Sequence, residues 1–574
     1  MPKIEVQEQP FYNLFDRKES IDTLLPAFPA AKAELDDHDR EAGVLKIELN
    51  DTNRPDLWST AGLARQLRVF KGGSVPSYDF FSTKEEQKDC EEREIIVDGS
   101  VQDVRPYIAG LAVKGRTIDD PLLKEIIQLQ EKLCWNFGQK RKAIAMGVHR
   151  SRLITYPLRY RGADPDNTSF VPLDFTESLT LRKILEKHPK GQQFGHIVAD
   201  LDRFPFLTDD TGDVLSFPPV INSAKIGAVE IGDDYLFIDL TGPDIYSVTL
   251  AAAIMACDLS DAGFTILPVK VIYPYDTPFG REIVTPYYFQ EPVTVNIDYA
   301  NKLLGVNLSA EEAARAVERM GCRVEQGEDA ITVTPPVYRN DFLHPVDIIE
   351  DIMIGREMES FEPIMPTDFT VGRLTEMTAF SRRIKDIMVG LGFQEMVYNY
   401  LGSKRDYIDL MAPSGEQEPE KPQAADIIQI DNPMSENFEY VRNSILPCLL
   451  SSESVSAHAV YPHRIFEIGK TARLDASENY GTLTTDNIGF LNADTGEDFN
   501  GVSSQVSALF FYMNREYTVR ESKDPRFIPG RAADIIYNGE KAGVFGEIAP
   551  GVLENWGIQV PCTGCEIDLS VIVE

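Results

Sequence analysis

The chain has 574 residues, with 56 Lys and Arg against 91 Asp and Glu, a formal charge of −35. That excess excludes nucleic-acid binding through a general positive field, so contact with RNA needs a local basic patch or a partner chain. With 43% hydrophobic and 26% charged residues and only 7 Cys, the composition excludes a disordered chain and a disulfide framework. The N-terminal MPKIEVQEQPF lacks an apolar signal region, and the longest apolar run, Val248–Cys257, is too short to span a bilayer. The expectation is a soluble, cytoplasmic chain of about three to five domains.

Gly-, Pro- and charge-rich stretches at 71–94, 273–292 and 361–372 divide the chain into segments 1–90, 91–275, 276–365 and 370–574. Segment 91–275 is predicted to be rich in strands, at GHIVADL (195–201), FPFLTDD and DVLSFPPV on either side of a turn at 210–213, and DYLFIDLTG (234–242). In segment 276–365, Ser309 and Glu312 form an S-x-x-E capping box, and Gly321 ends the helix. Strands CRVEQ and AITVTPP follow, and a second helix starts at Pro345, which makes a small module of winged-helix type. In segment 370–574, Ile384, Ile387, Met388 and Leu391 mark an amphipathic helix stopped at Gly392. The strand-like FQEMVYNYL (393–401) comes next, and a polar insert at 412–426 reads as an exposed loop. The fold class is α+β and multidomain, the last domain built around an antiparallel sheet.

Three constellations carry candidate chemistry. Asp347, Glu350 and Asp351 share one helix face, and Asp341 lies just upstream. Four carboxylates without His or Cys suit a hard cation such as Mg²⁺, although acids in a first helical turn also complement the helix dipole. The stretch 138–161 contains Lys140, Arg141, Lys142, Arg150, Arg152, Arg159 and Arg161 and no acid. It reads either as a phosphate contact or as a face that pairs with acids of this chain or a partner. In segment 91–275, acids, hydroxyls and Asn222 interleave with Phe and Leu, as in a pocket with an apolar body or in a half-buried sheet. No His pairs with Ser or Cys at a recognisable spacing, Cys562-x-x-Cys565 lacks a second pair for zinc, and no phosphate-binding glycine loop is present.

Together, NDTNRPDLWSTAGLAR (50–65), LSFPPVINS (215–223), FIDLTG (237–242), YRNDFLHPVDIIEDIMIG (338–355) and NPMSENFEYVRNSILPCLL (432–450) resemble the β subunit of phenylalanyl-tRNA synthetase. The match runs nearly end to end and is to the shorter archaeal/eukaryotic type. The resemblance implies an α₂β₂ heterotetramer with an α subunit that holds the synthetic site and its ATP, charging tRNA(Phe). It implies that 1–90 is an N-terminal β-subunit domain and that 91–275 is a mixed α/β editing domain hydrolysing Tyr-tRNA(Phe). The module 276–365 would hold Mg²⁺ through Asp341, Asp347, Glu350 and Asp351. Segment 370–574 would be a degenerate class II synthetase-like domain. Arg464 and Glu467 only loosely echo that class's second motif, so no ATP site is assigned there. The matching positions of the editing pocket are Leu207, Ser216, Asp239 and Thr241. Lys140, Arg141, Lys142, Arg150 and Arg152 are the candidate tRNA contacts. The alternative is a scaffold subunit that assembles α and docks tRNA, its editing lost.

Overall fold

The computed structural model describes residues 2–15, 18–412 and 427–573. The predicted loop at 412–426 therefore lies, apart from its first residue, outside the described residues. The chain forms two compact units, Met1–Ile364 and Met365–Glu574.

The first unit opens with a three-stranded antiparallel sheet, Val44–Leu49 lying between Lys3–Gln7 and Ala33–Asp39. Leu45, Ile47 and Leu49 alternate inward onto Trp58, Leu63 and Leu67, the period-two pattern of a half-buried strand. Helix Thr60–Phe70 begins where the Ser59 side chain accepts from the Gly62 amide.

A ten-stranded mixed sheet follows. Its spatial order is Ile221–Asn222, Val214–Phe217, Phe204–Thr208, Leu158–Ala163, Glu94–Val97, Thr265–Ile272, Tyr107–Lys114, Tyr235–Gly242 and Ala145–Arg150, with Glu282–Thr285 paired beside Thr265–Ile272. The two edges of this order meet: the Arg150 amide donates to Ile226 O at 2.9 Å, and Asn222 Nδ2 donates to Val148 O at 3.4 Å. Helix Ile245–Asp261 is buried along most of its length, including the whole run Val248–Cys257, as a helix apolar on every side must be. Asp244 caps it, accepting from the Ser247 amide at 2.8 Å.

The hairpin predicted around 210–213 forms, with Gly212 at φ +88° in the turn. GHIVADL does not form a strand. It continues from helix Pro189–Phe194 as a short 3-10 turn, the amides of Val198 and Ala199 donating to Gly195 O. Local hydrogen bonds replace the ladder there.

Residues 293–356 build a three-stranded sheet, Ala330–Thr334 between Val293–Asn296 and Arg323–Gln326, packed on helices Ile297–Leu304, Ala310–Arg319 and Pro345–Arg356. Both halves of the Ser309–Glu312 capping box are made, and Gly321 takes φ +89°. The last two helices approach closely at Gly355, where a Cβ would sit 2.0 Å from Ala316 O. Gly355→Ala is therefore expected to destabilise the unit by about 1–3 kcal/mol through overpacking; thermal unfolding of the full chain measures it.

The second unit holds a seven-stranded sheet in the order Gln394–Glu395, His463–Leu474, Thr482–Ala493, Cys562–Asp568, Glu540–Ile548, Phe527–Tyr537 and Thr518–Glu521. It is antiparallel apart from the first pairing. Phe490 and Phe545 face helices Glu376–Gly390 and Phe499–Met513, while Leu491 and Val544, their chain neighbours, face helices Leu446–Ser454 and Pro550–Trp556. The strand predicted over 393–401 joins this sheet only at Gln394–Glu395; beyond it the Tyr398 amide donates to Glu467 Oε1 at 3.2 Å. Among the described residues no helix is long and apolar enough to cross a membrane.

Candidate functional site

Strand Tyr235–Gly242 lies next to the last strand of the large sheet, flanked by Tyr107–Lys114 and Ala145–Arg150. Phe237, Asp239 and Thr241 project from one face of it, by the alternation of a strand. Phe237 packs in one apolar cluster with Leu207 and Tyr160. Leu207 stands directly across the ladder from Ser216, so both lie on one face of their strand pair. Leu207, Ser216, Asp239 and Thr241 are all buried.

The polar groups in this interior have specific partners. Asp239 Oδ1 meets His149 Nε2 at 2.5 Å, and the imidazole, itself fully buried, stacks near the Phe237 ring. Asp239 faces Gly147 across the ladder, where a Cβ would lie 2.5 Å from both the carboxylate and the imidazole, so only glycine leaves room for the couple. Thr241 Oγ1 accepts from Arg105 Nε at 2.8 Å. Burial pulls the Arg105 guanidinium down to about 10, which leaves it charged at neutral pH. Tyr160 donates to Arg105 O at 2.8 Å. Ser216 Oγ and His149 Nδ1 are among the buried polar atoms with no hydrogen-bond partner. Such atoms are costly unless a water or ligand serves them.

His149 was not singled out from the sequence. The seven histidines are scattered, and its partner is far along the chain, so only the pairing of strands 145–150 and 235–242 exposes it.

On the other face of strand Ala145–Arg150, a cleft of about 410 Å³ is walled by Ile126, Met146, Val148 and Val229, with Asn222, Arg141 and Lys190 supplying polar groups. Asn222 pairs across the ladder with Ser216. An apolar body with few placed polar groups is the usual build of a small-ligand pocket.

The basic stretch is partly consumed internally. Arg150 pairs with Asp233 at 3.3 Å, Arg152 with Asp234 at 2.8 Å and Arg159 with Asp210 at 2.7 Å. Arg141 lies over the Phe194 ring and donates to the carbonyls of Pro219 and Val220. Lys140 and Lys142 are exposed, Lys140 lying 5.6 Å from the Trp135 ring.

The four carboxylates expected to converge do not. Asp341 and Asp351 flank the buried Arg339 guanidinium, each at 2.6 Å. Glu350 pairs with Lys32 at 2.8 Å, and Asp347 accepts the amides of Leu343 and His344 at the helix start. Among the described residues no three His, Cys, Asp or Glu side chains are arranged around a common metal position. The donor set does not fit Mg²⁺ as placed, because Arg339, Lys32 and two backbone amides of the chain itself engage the carboxylates. Dialysis against a chelator is expected to leave the thermal midpoint unchanged; a clear fall on chelation, restored by Mg²⁺, would count against this reading.

Burial pushes the Asp341 carboxyl up, but Arg339, with Arg54 beyond it, overrides this and holds it at about 2. For Asp351 burial wins and the carboxyl is raised. A carboxyl depressed in the fold contributes stability above its unfolded value near 3.8, lost as pH falls toward 2. Asp341→Asn should therefore be less stable than wild type at pH 7 by about 2 kcal/mol. The two unfolding curves should converge near pH 2; a gap that persists there would refute the assignment.

Residues 362–569 match the family model described as Phenylalanyl tRNA synthetase beta chain CLM domain, and residues 293–357 match tRNA synthetase B5 domain. A phenylalanine–tRNA ligase β subunit from Borreliella burgdorferi (strain ZS7) is 46% identical over 578 residues, covering 100% of each chain. That of Borrelia turicatae is 45% identical over 574 residues, again covering 100% of each. A crystal structure of an N-terminal fragment of the phenylalanyl-tRNA synthetase β subunit from Pyrococcus horikoshii is 35% identical, with TM-score 0.57, covering 62% of this chain and 99% of that one. Identity of this extent over whole chains shows the family: the chain belongs to the β subunits of phenylalanine–tRNA ligase.

Proposed function

We propose that this β subunit works in an α₂β₂ assembly, ATP and phenylalanine reacting on α, and that its own large sheet clears tyrosine mistakenly joined to tRNA(Phe). The observation that carries the editing reading is the His149–Asp239 couple beside Thr241–Arg105 inside an otherwise apolar interior. A pocket that is complementary to Phe discriminates against an added hydroxyl by only about 10². A second site with buried hydrogen-bonding groups can reject Phe far more strongly, because Phe leaves those groups unpaired. Asp239 is the acceptor for the tyrosyl hydroxyl or the attacking water, His149 fixes its orientation, Ser216 assists and Leu207 is the apolar wall. Ser216 has no base within hydrogen-bond reach, so the reaction is attack by a positioned water rather than by an enzyme nucleophile. The purified complex should hydrolyse Tyr-tRNA(Phe) and spare Phe-tRNA(Phe); failure on the tyrosyl ester would leave the scaffold reading.

The expected archaeal/eukaryotic type is not supported by the full-length relatives, which are bacterial. In this reading residues 1–90, 91–275 and 276–365 are successive domains of the first unit, the third winged-helix-like, and 370–574 is a synthetase-like domain without synthetic chemistry. The seven free cysteines suit a cytoplasmic location.

Within the basic stretch, Lys140 and Lys142 are the phosphate contacts, because Arg141, Arg150 and Arg152 are already engaged. Replacing both lysines by Ala should weaken tRNA binding by the complex and flatten its salt dependence by roughly 0.7–0.9 per lysine. Titration at several salt concentrations reads it, and an unaltered slope would place the contact elsewhere. The chain alone should bind tRNA poorly, given its charge.

A further inference from the structure

The fold leaves one tryptophan in solvent. Trp58 and Trp556 are buried, whereas Trp135 is 45% exposed. It sits in a π-helical turn, Leu133–Phe137, that follows helix Asp120–Lys132, a geometry found mostly at functional sites. Its ring meets the edge of Phe194 at 6.3 Å and 82°, and Lys140 Nζ lies 5.6 Å from it. Phe194 is itself buried, with the Arg141 guanidinium 4.2 Å and Lys190 Nζ 5.9 Å from its ring. Arg141 and Lys190 both line the cleft of about 410 Å³ that contains Asn222.

The backbone that presents these groups is strained. Gln139, Lys140 and Arg141 take φ of +49°, +55° and +70° in succession, and Asp174 in the cleft wall takes +66°. Left-handed backbone at residues other than glycine is costly and collects at ligand sites. Local bonds hold the segment there: the Lys140 amide donates to Trp135 O at 2.9 Å and the Arg141 amide to Cys134 O at 2.8 Å. From inside, Arg105 donates to the carbonyls of Arg141 and Lys142 at 3.3 and 3.0 Å and, through Nε, to Thr241 Oγ1 at 2.8 Å. One buried guanidinium thus ties the exposed loop to the interior that holds Asp239.

The charges here favour an anionic partner. Lys140, Lys142 and Lys190 are exposed and form no ion pair among the described residues. Asp174 is the one acid in the described wall of the cleft, and Glu131 is exposed one turn before Trp135. Against these two acids stand Arg141 and the three lysines, in a chain of charge −35. Cations beside an exposed aromatic ring are the pairing that holds single-stranded nucleic acid: the cations meet phosphates and the ring stacks on a base. An apolar protein partner would account for Trp135 but not for the lysines around it.

Resting this on the editing reading, we propose that Trp135 stacks an unpaired base at the 3′ end of the mischarged tRNA. The flanking phosphates lie at Lys140 and Lys190, and the stack positions the ester for the interior that holds Asp239. In the complex with the partner subunit, Trp135→Ala should raise KM for Tyr-tRNA(Phe) hydrolysis about tenfold, the scale of one stacked base, with kcat and the thermal midpoint little changed. Trp135→Phe, which keeps a ring, should restore most of the loss. The trinucleotide CCA should quench the tryptophan fluorescence of the wild-type complex, and the quench should fall sharply in Trp135→Phe. If the complex does not clear Tyr-tRNA(Phe) at all, the editing reading falls and the quench alone decides the stacking; it also decides if Trp135→Ala lowers the midpoint. An unchanged KM in a folded Trp135→Ala, a quench of equal size in Trp135→Phe, or an equal quench by tripolyphosphate, which has no base, would each overturn the assignment.

Discussion

Arg339→Leu should destabilise the first unit by about 3–5 kcal/mol, the cost of removing one member of a buried ion cluster. The guanidinium is the hub of that cluster. It forks onto Asp341 at 2.6 and 3.0 Å and onto Asp351 at 2.6 and 3.2 Å, while its plane lies 4.3 Å from the Phe342 ring centroid. All three charged side chains are buried. Without Arg339, two carboxylates remain in the interior with only Arg54 nearby, and Arg54 is itself committed to Asp56 at 2.8 and 2.9 Å. Arg339→Lys should rescue little, because an ammonium cannot fork onto two carboxylates. Adding Asp341→Asn and Asp351→Asn to Arg339→Leu should recover part of the loss, since it is the orphaned charge that costs. Urea denaturation of the full chain measures all three. A loss below about 1 kcal/mol for Arg339→Leu, the level of a surface pair, would refute the buried-hub account.

The same cluster marks where sequence reading stops. The helix from Pro345, its acidic face and the capping box at Ser309 are local patterns, and each appears in the structure where the spacing puts it. What the spacing cannot carry is the identity of the group opposite each carboxylate. Arg339 stands in the same motif as the aspartates, and Lys32 comes from more than three hundred residues away, so the acids look free in the sequence and are engaged in the fold. His149 is the same lesson in reverse: alone in its stretch it carries no pattern, and strand pairing gives it Asp239. The turn at 210–213 and the strand 235–242 were legible because turn chemistry and period-two alternation are local. The apolar residues of GHIVADL fit a strand, whereas the preceding helix hands the segment a 3-10 continuation.

The second large effect concerns the reaction. Asp239→Ala should lower hydrolysis of Tyr-tRNA(Phe) by the complex about 10²-fold or more, the scale for losing one positioned hydrogen-bonding or proton-transfer group. Charging with Phe should be untouched, because that chemistry lies on the α subunit in the proposed assembly. Thr241→Ala should act in the same direction more weakly. It removes a hydroxyl that accepts from Arg105, yet Arg105 keeps its bonds to the Thr241 and Lys142 carbonyls. Fold damage is the competing explanation, since Asp239→Ala leaves the fully buried His149 without its partner. Asp239→Asn separates the two: the amide keeps the volume and a hydrogen bond to the imidazole, so the thermal midpoint should stay near wild type while the deacylation rate falls. If Asp239→Asn and Asp239→Ala both clear Tyr-tRNA(Phe) at the wild-type rate, the couple is a structural pairing and the editing chemistry lies elsewhere. The adjacent cleft around Asn222 is then the place to look, since Asn222 pairs with Ser216 and bonds the strand that carries His149. An Asp239-dependent rate with an intact fold instead makes the buried His149–Asp239 couple the feature that lets an apolar interior tell tyrosine from phenylalanine.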